Sequence, residues 1–211
     1  EPYLQEARAR GVQIVGDIEL FARCADAPVI AITGSNGKST VTALVGAMAE
    51  AAGCDVRVGG NIGTPALDLL GGAAPQLYVL ELSSFQLETT ASLNPRAAVI
   101  LNLSPDHLDR YADMQAYLEA KLRIYAGDGT VVVNRDDPSL RVCVPAGRRV
   151  LSFGLGAPAD GDFGLLIDAG RTWLMHGGER LIAADELGIR GTHNALNALA
   201  ALALGSAAGL G

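Results

Sequence analysis

A glycine-rich segment that contains a lysine, GSNGKST at residues 34–40, is the strongest candidate for chemistry in this sequence. It follows the apolar run VIAIT (29–33) directly and precedes a helical pattern. Glycines let backbone N–H groups turn toward an anion, a helix N-terminus adds partial positive charge, and Lys38 adds a full charge. Ser39 or Thr40 can offer a hydroxyl to Mg²⁺.

This segment therefore predicts a loop that binds nucleotide phosphates. Its members are Gly34, Ser35, Asn36, Gly37, Lys38, Ser39 and Thr40. Ile32 stands where the common phosphate-loop pattern has its first glycine, but the strand before the segment and the helix after it support the prediction. The alternative is a glycine-rich turn in which Ser or Thr caps the helix.

Acidic and histidine side chains stand at the ends of two further apolar runs. Glu81 lies within LYVLEL (77–82), where a carboxylate is costly to bury unless it meets a cation. Asp106 and His107 follow AAVILNL (97–103). Because ligands of a doubly wound sheet collect beyond the carboxyl ends of its strands, Glu81 is a candidate metal ligand, and the Asp-His pair is a candidate contact for Mg²⁺ or phosphate. For Glu81 the alternative is a glutamate that pairs with an arginine or stands at a strand end, and for Asp106 and His107 it is an ordinary turn.

Lysine is rare in this chain, since 14 of the 16 cationic residues are arginine and only Lys38 and Lys121 are lysine. Lys121 lies on the apolar stripe of a helical pattern over residues 112–126. A desolvated lysine has a lowered pKa, and its neutral amine can act as a base, form a Schiff base or take up CO₂ as a carbamate that suits Mg²⁺. The alternative is a lysine that snorkels at the rim of the helix.

Asparagines on two segments could contact a ligand. Asn61 lies on the loop GGNIGTP (59–65), where it either orients a substrate or occupies a left-handed turn position. Asn194 and Asn197 share one face at the start of the last helical pattern and could contact the base or ribose of a nucleotide. Spacing alone favours ordinary first-turn polar residues, with Thr192 as the helix cap.

The elements that must position these residues follow from hydrophobic periodicity. Runs typical of strands buried in a parallel sheet lie at 29–33, 77–82, 97–103 and 130–134. Helical patterns at 38–52 and 112–126 alternate with them, which predicts an α/β fold with a doubly wound, mostly parallel sheet. Runs at 150–153, 164–168 and 171–175 predict a small antiparallel β meander. An apolar helix is expected over 192–208 and a strand over 12–15.

Composition excludes several classes of protein. The chain has 211 residues, of which 49% are hydrophobic, and this fraction excludes a disordered protein. Its net charge of −7 argues against a nucleic-acid-binding protein. No apolar run approaches the roughly 18 residues that span a bilayer. Three cysteines without a CxxC pair fit a reduced, cytoplasmic setting, and the start at Glu1 rather than Met suggests a fragment.

Seven motifs occur in order along nearly the whole chain. They are GDIELF (16–21), AITGSNGKST (31–40), GGNIGTPAL (59–67), LELSSFQLET (80–89), LNLSPDHLDRY (101–111), AKLRIY (120–125) and GTHNALNALAALAL (191–204). On these motifs the sequence resembles the Mur ligases. Among them it is most similar to the ligase that joins glutamate to UDP-N-acetylmuramoyl-L-alanine in peptidoglycan synthesis.

The resemblance implies a domain organisation and an activity. Residues 1–27 would be the tail of an N-terminal domain that binds the UDP-sugar, residues 28–211 would be the central ATPase domain, and a C-terminal domain would be missing. In this family ATP phosphorylates the carboxylate of UDP-N-acetylmuramoyl-L-alanine, and the glutamate amine then attacks the acyl phosphate. The isolated fragment would not be fully active.

The resemblance also implies roles for residues. The catalytic residues would be Lys38, which holds the transferring phosphoryl group, with Glu81, His107 and Lys121. One Mg²⁺ would be held by Ser39 or Thr40 with Glu81, and a second by His107 with a carbamylated Lys121. Positions near the muramoyl-alanine would be Asn61, Ser83 and Gln86, and nucleotide contacts would be Asn194 and Asn197.

Two other functions stay open at this point. One is a phosphotransferase with a phosphate loop that is unrelated to cell-wall synthesis, in which Lys121 is merely structural. The other is a nucleotide-binding module that folds but is catalytically silent without its flanking domains.

Overall fold

Strands and helices alternate along most of the chain. The structure, a computed structural model, describes residues 2–106 and 109–210. The strands are β1 (Val29–Thr33), β2 (Val56–Gly60), β3 (Leu77–Glu81), β4 (Ala97–Ile100), β5 (Thr130–Asn134), β6 (Val150–Phe153), β7 (Phe163–Asp168), β8 (Arg171–His176) and β9 (Glu179–Ala183). The α-helices are α1 (Pro2–Ala9), α2 (Asp17–Cys24), α3 (Lys38–Ala51), α4 (Ser84–Glu88), α5 (Met114–Leu122), α6 (Pro138–Arg141) and α7 (Thr192–Ala208).

The strands form one sheet in the order β2-β3-β1-β4-β5-β6-β7-β8-β9. Pairs from β2 through β7 are parallel, and β7, β8 and β9 are antiparallel. The chain begins the parallel part at β1. The next two strands, β2 and β3, lie on one side of β1, with β3 adjacent to it, and β4 lies on the other side. The predicted α/β class, with a mostly parallel sheet and an antiparallel meander, is confirmed, and the crevice for ligands lies beyond β1.

Alternating side chains along β1 supply both faces of the sheet. Ile30 and Ile32 pack with α3 and α7, whereas Val29 and Ala31 pack on the opposite face with α2 and α5. All five residues of β1 are buried, which explains why the run is apolar throughout rather than alternating. Within the described residues, no helix is both long enough and apolar enough to cross a membrane.

Four details of the sheet differ from the prediction. Residues 12–15 form no strand, because no neighbouring strand offers them hydrogen bonds, and Val12 is exposed. The strand at 150–153 pairs in parallel with β5, so the meander consists of β7, β8 and the unpredicted β9. The edge strand β2 was also missed, since its sequence VRVGG has neither a clear alternation nor a continuous apolar run. The strand predicted over 97–103 ends at Ile100.

Candidate active site

The phosphate-loop candidate lies between β1 and α3, at the carboxyl end of the central strand. Gly37 precedes the helix in a left-handed conformation with φ +81°, which only glycine adopts without strain. Asn102, beyond the end of β4, holds the loop, because its side chain accepts from Asn36 N (2.9 Å) and its carbonyl accepts from Ser35 N (3.1 Å). The loop is therefore held by the neighbouring strand as well as by its own glycines.

Lys38 begins α3, and its ammonium lies back over the loop. Its Nζ donates to the carbonyls of Gly34 (3.0 Å) and Ser35 (3.1 Å). An anion bound by the loop would meet this charge together with the first free N–H groups of α3. Thr40 lies half-buried in the same first turn.

Glu81, the last residue of β3, is buried with 2% of its surface exposed. Its Oε2 accepts from the hydroxyl of Ser39 (2.8 Å) and its Oε1 from the side-chain amide of Asn61 (2.9 Å). Asn61 N also donates to the Glu81 carbonyl (2.8 Å). The carboxylate partners are thus a hydroxyl and an amide rather than an arginine. Three residues far apart in sequence meet at this point.

The backbone approaches closely where the loop after β2 passes Glu81. A Cβ on Gly60 would lie 2.3 Å from the Glu81 carbonyl oxygen, so only glycine fits there. This contact brings Asn61 within hydrogen-bond reach of the buried carboxylate.

Lys121 lies on the other side of the loop and is almost completely buried, with 1% exposed. Its Nζ donates to the Gly34 carbonyl (3.1 Å) and the Thr33 hydroxyl (3.4 Å) and lies 4.5 Å from the centre of the Tyr117 ring. Burial, together with the charge of Lys38, lowers the pKa of Lys121 to about 7, against the opposing effect of Asp106. This burial excludes the snorkelling alternative.

Several residues of the site were not predicted, and they support the loop rather than face a ligand. Ser104 binds the Ser35 hydroxyl through its N–H (3.0 Å) and its carbonyl (3.1 Å). The Tyr117 hydroxyl lies 3.4 Å from Ser35 Oγ. Tyr117 stands four residues before Lys121, so helical spacing could have identified it.

Ser83 and Gln86 form a capping box at the start of α4. Gln86 N donates to Ser83 Oγ (3.2 Å), and Ser83 N donates to Gln86 Oε1 (3.1 Å). The amide nitrogen of Gln86 also donates to Asp17 at the start of α2 (3.0 Å). These two candidates thus stabilise the turn that follows Glu81, and no contact between them and the phosphate loop is described.

The first turn of α7 lies against the phosphate loop. A Cβ on Gly37 would lie 2.5 Å from Asn197 Oδ1, so Asn197 borders the loop directly. Asn197 donates to Asn194 Oδ1 (3.3 Å), and Asn194 donates to the Arg190 carbonyl (2.8 Å). Gly191 rather than Thr192 is the cap residue, and no side chain caps the helix, so the expected Thr192 cap is wrong.

The predicted ligand His107 lies outside the described residues. Within residues 2–106 and 109–210, no three or more His, Cys, Asp or Glu side chains are grouped so that they could hold a metal ion. A hard cation such as Mg²⁺ is commonly held by one or two carboxylates together with hydroxyl, water and phosphate oxygens, and Glu81 with Ser39 offers the protein part of such a set.

Comparison with known proteins gives consistent matches. The family described as "Mur ligase middle domain" matches residues 32–205. A UDP-N-acetylmuramoylalanine–D-glutamate ligase of Nitrosococcus oceani is 59% identical over 210 residues, covering 100% of this chain and 46% of that protein. The ligase of the same name from Pseudomonas savastanoi pv. phaseolicola is 58% identical over 209 residues, covering 99% and 46%. The chain therefore spans about half the length of the curated relatives it matches.

A solved structure shares the fold at lower identity. A MurF ligase from Thermotoga maritima, determined in complex with ADP, superposes with a TM-score of 0.70 and 22% identity, covering 93% of this chain and 50% of that one.

Proposed function

The chain belongs to the Mur ligase family, and from this premise we propose that it is the ATP-binding middle domain of the ligase that joins D-glutamate to UDP-N-acetylmuramoyl-L-alanine. The observation that carries the proposal is the convergence of three groups on one loop. Lys38 lies over the loop, Ser39 binds the buried Glu81, and the buried Lys121 contacts Gly34 from the other side. This arrangement supports transfer of a phosphoryl group to a carboxylate.

In the proposed reaction a carboxylate oxygen of UDP-N-acetylmuramoyl-L-alanine attacks the γ-phosphorus of ATP, which forms an acyl phosphate and ADP. The amine of glutamate then attacks the acyl carbon, and phosphate leaves. Lys38 stabilises the charge of the transferring phosphoryl group, and the loop N–H groups hold the remaining phosphates. Asn194 and Asn197 contact the nucleotide.

Glu81 and the hydroxyl of Ser39 or Thr40 would hold one Mg²⁺ in this proposal. Their oxygen atoms fit the ion, and the 2.8 Å hydrogen bond from Ser39 to Glu81 holds the carboxylate beside the phosphate loop. When bound, Mg²⁺ neutralises charge on the phosphates and aligns the reacting groups. Asn61 keeps Glu81 oriented through its hydrogen bond to the carboxylate. In this proposal Asn61, Ser83 and Gln86 lie near the muramoyl-alanine of the substrate.

Lys121 would serve as a carbamate that, with His107, holds a second Mg²⁺. Its amine is buried among neutral oxygens, and its pKa of about 7 leaves a large neutral fraction near pH 7. The neutral amine nitrogen bonds to the carbon of CO₂ and releases one proton, so a neutral group becomes an anion of carboxylate type. This change explains why a lysine stands at a buried position of the helix.

The remaining parts of the proposal concern the whole protein. Residues 1–27 would join an N-terminal domain that binds the UDP-sugar, residues 28–211 would be the central domain, and a C-terminal domain would complete the site for glutamate and nucleotide. The reaction would take place in the cytoplasm, where free thiols such as those of Cys24, Cys54 and Cys143 stay reduced.

The decisive experiment measures phosphate release by a protein of full ligase length that contains this sequence. Release should require both UDP-N-acetylmuramoyl-L-alanine and D-glutamate. Lys121→Ala should abolish it, and bicarbonate with a small carboxylate should partly restore it. Lys38→Ala is the matched control, because a carboxylate cannot replace a lost ammonium. Release without glutamate would instead indicate a phosphotransferase, and equal rescue of both variants would contradict the carbamate.

A second candidate applies to the chain by itself. Because it spans 46% of its relative from Nitrosococcus oceani, we propose that it binds nucleotide without completing the ligase reaction. Ligase activity of this chain equal to that of the full-length protein would contradict this second proposal.

A further inference from the structure

Gln86 is held by hydrogen bonds at both ends of its side-chain amide. Its Oε1 accepts from Ser83 N (3.1 Å) and Ser83 Oγ (3.2 Å), and its Nε2 donates to Asp17 Oδ2 (3.0 Å). Asp17 offers only acceptors and Ser83 N only a donor, so the amide has one orientation that satisfies both. Asp17 thereby determines which way the Gln86 side chain points.

The segment that carries Asp17 is attached to the turn after α4 by a second contact. Glu19 has 1% of its surface exposed, and its Oε2 accepts from Ala91 N (2.7 Å) and Ser92 N (2.9 Å). Gly16 also packs closely against the end of α4, since a Cβ there would lie 2.4 Å from Thr89 Oγ1. The start of α2 thus contacts both ends of α4.

The turn between β3 and α4, residues 82–83, connects these contacts to the site. It follows Glu81 directly, and Ser83 caps the first residues of α4. A shift at the start of α2 would be transmitted through the Gln86 amide to Ser83 and to the end of β3.

We propose that Asp17 is a positioning residue, which fixes the Gln86 amide and the β3–α4 turn so that the placement of α2 sets the geometry of Ser83 and Gln86 at the substrate site. The coupling to substrate rests on the proposed function, in which both residues lie near the muramoyl-alanine of the UDP-sugar substrate. Asp17 itself need not touch the substrate. The chain segment before the central sheet would thereby adjust the site when it moves.

The first test reverses the hydrogen bond. Gln86→Glu keeps the capping box, since glutamate also accepts from the cap N–H, but it loses the donor toward Asp17. Adding Asp17→Asn restores the pair with donor and acceptor exchanged. Hydrogen exchange of the Gln86, Leu87 and Thr90 amides in this chain should become roughly three- to tenfold faster in Asp17→Ala and Gln86→Glu, and return toward wild type in the double variant.

Glu6→Gln is the matched control. It makes the same acid-to-amide change in the N-terminal region, but Glu6 pairs with Arg10 on the exposed surface of α1. Its exchange at α4 should equal that of the wild type. Unchanged exchange in the single variants, or no recovery in the double variant, would overturn the positioning role.

The second test uses a protein of full ligase length. The KM for UDP-N-acetylmuramoyl-L-alanine should rise several-fold in Asp17→Ala and Gln86→Glu, recover in the double variant, and leave the KM for ATP unchanged. A parallel rise in both KM values would overturn the link to the substrate. A wild-type protein without ligase activity would instead refute the proposed function, while the exchange data would still decide the role of Asp17.

Discussion

Arginine and lysine have different tasks in this chain. Arg57, Arg135 and Arg148 each donate to the carbonyls of two or more loop residues. The five donors of a guanidinium can hold several carbonyls at once, which an ammonium on a flexible stem does less well. Lys38 and Lys121 instead contact the carbonyls of the phosphate loop. At these three positions arginine stabilises loops by contacts that a lysine would make less well.

Arg148→Lys should therefore destabilise the fold although the charge is kept. Arg148 is half-buried and donates to the carbonyls of Tyr125, Gly127 and Gly129. We expect the free energy of unfolding in urea to fall by about 1–2 kcal/mol. Arg149→Lys, at the exposed neighbouring position, should change it by less than about 0.5 kcal/mol. Equal effects at both positions would contradict this account.

Lys121→Met should stabilise the chain near neutral pH in CO₂-free buffer. The pKa of Lys121 falls from 10.5 to about 7 on folding, so between these values the unfolded chain binds the proton that the folded chain has lost. The free energy of unfolding therefore rises with pH from 7 toward 10.5 in the wild type. Methionine removes this rise and should gain about 1–3 kcal/mol at pH 7.

Urea unfolding at both ends of that pH window measures the effect. Lys38→Met controls for loss of a positive charge beside the same loop. A wild-type stability that does not rise over the window, or a variant that keeps the rise, would contradict the burial of a neutral amine at Lys121.

At the scale of elements, the buried carboxylate of Glu19 connects α2 to the turn after α4. Hydrogen bonds from Ala91 N, Ser92 N and the Ser92 hydroxyl lower the pKa of Glu19 from 4.5 to about 2, against the opposing effect of burial. The stabilisation from Glu19 is therefore complete above about pH 4.5 and is lost as the pH falls through about 2.

Glu19→Gln should consequently reduce the acid sensitivity of the fold. The free energy of unfolding at pH 7 should fall by about 1–3 kcal/mol, and its decline between pH 4.5 and 2 should become shallower. Acid titration followed by circular dichroism measures both. Glu50→Gln, on the exposed face of α3, is the control and should leave the acid limb unchanged. An unchanged slope in Glu19→Gln would refute the anchoring role.

The contact of α3 with the sheet depends on Gly46. A Cβ at this position would lie 2.8 Å from Val58 Cγ2, closer than packed carbon atoms allow. Gly46→Ala should therefore lower the thermal midpoint although alanine favours a helix by about 1 kcal/mol. Val58→Ala in addition should recover part of that loss. A more stable Gly46→Ala single variant would show that helix propensity outweighs packing here.

Strands buried on both faces could be predicted from the sequence, and half-buried strands at the edge could not. The central strands β1, β3 and β5 are buried on both faces, and their apolar runs identified them. Strand β2 at the edge of the sheet is half-buried and was missed. Pairing direction was not encoded locally, since the sequence of β6 does not distinguish a parallel from an antiparallel neighbour.

The site was predictable where one segment carries its own chemistry, and less so where residues meet in space. The candidate phosphate loop was predicted from its glycines and lysine, and its segment lies between β1 and α3 as predicted. That Asn61 contacts Glu81, or that Gln86 contacts Asp17, depends on how separate loops approach each other. Such contacts follow from the topology of the sheet and from close backbone approaches such as that at Gly60.

At the scale of the whole molecule, an acidic chain is proposed to bind a highly charged anion. The net charge of −7 repels such a ligand at long range, so attraction must come from the loop itself. In the proposed complex, N–H groups at the start of α3, Lys38 and Mg²⁺ would supply it locally. Binding should therefore depend strongly on Mg²⁺ and on one lysine.

This chain alone should be stabilised by ADP with Mg²⁺, because the loop, Glu81 and Asn197 all lie within it. Ligand at a hundred times its Kd adds about 2.7 kcal/mol, which corresponds to a rise in Tm of roughly 5–10 °C for a chain of this size. Lys38→Ala should lose most of this rise, whereas Arg149→Ala removes the same charge from an exposed position and should keep it. Removal of Mg²⁺ with a chelator should likewise reduce the rise in Tm of the wild type. A rise in Lys38→Ala equal to that in the wild type would mean that the nucleotide binds elsewhere.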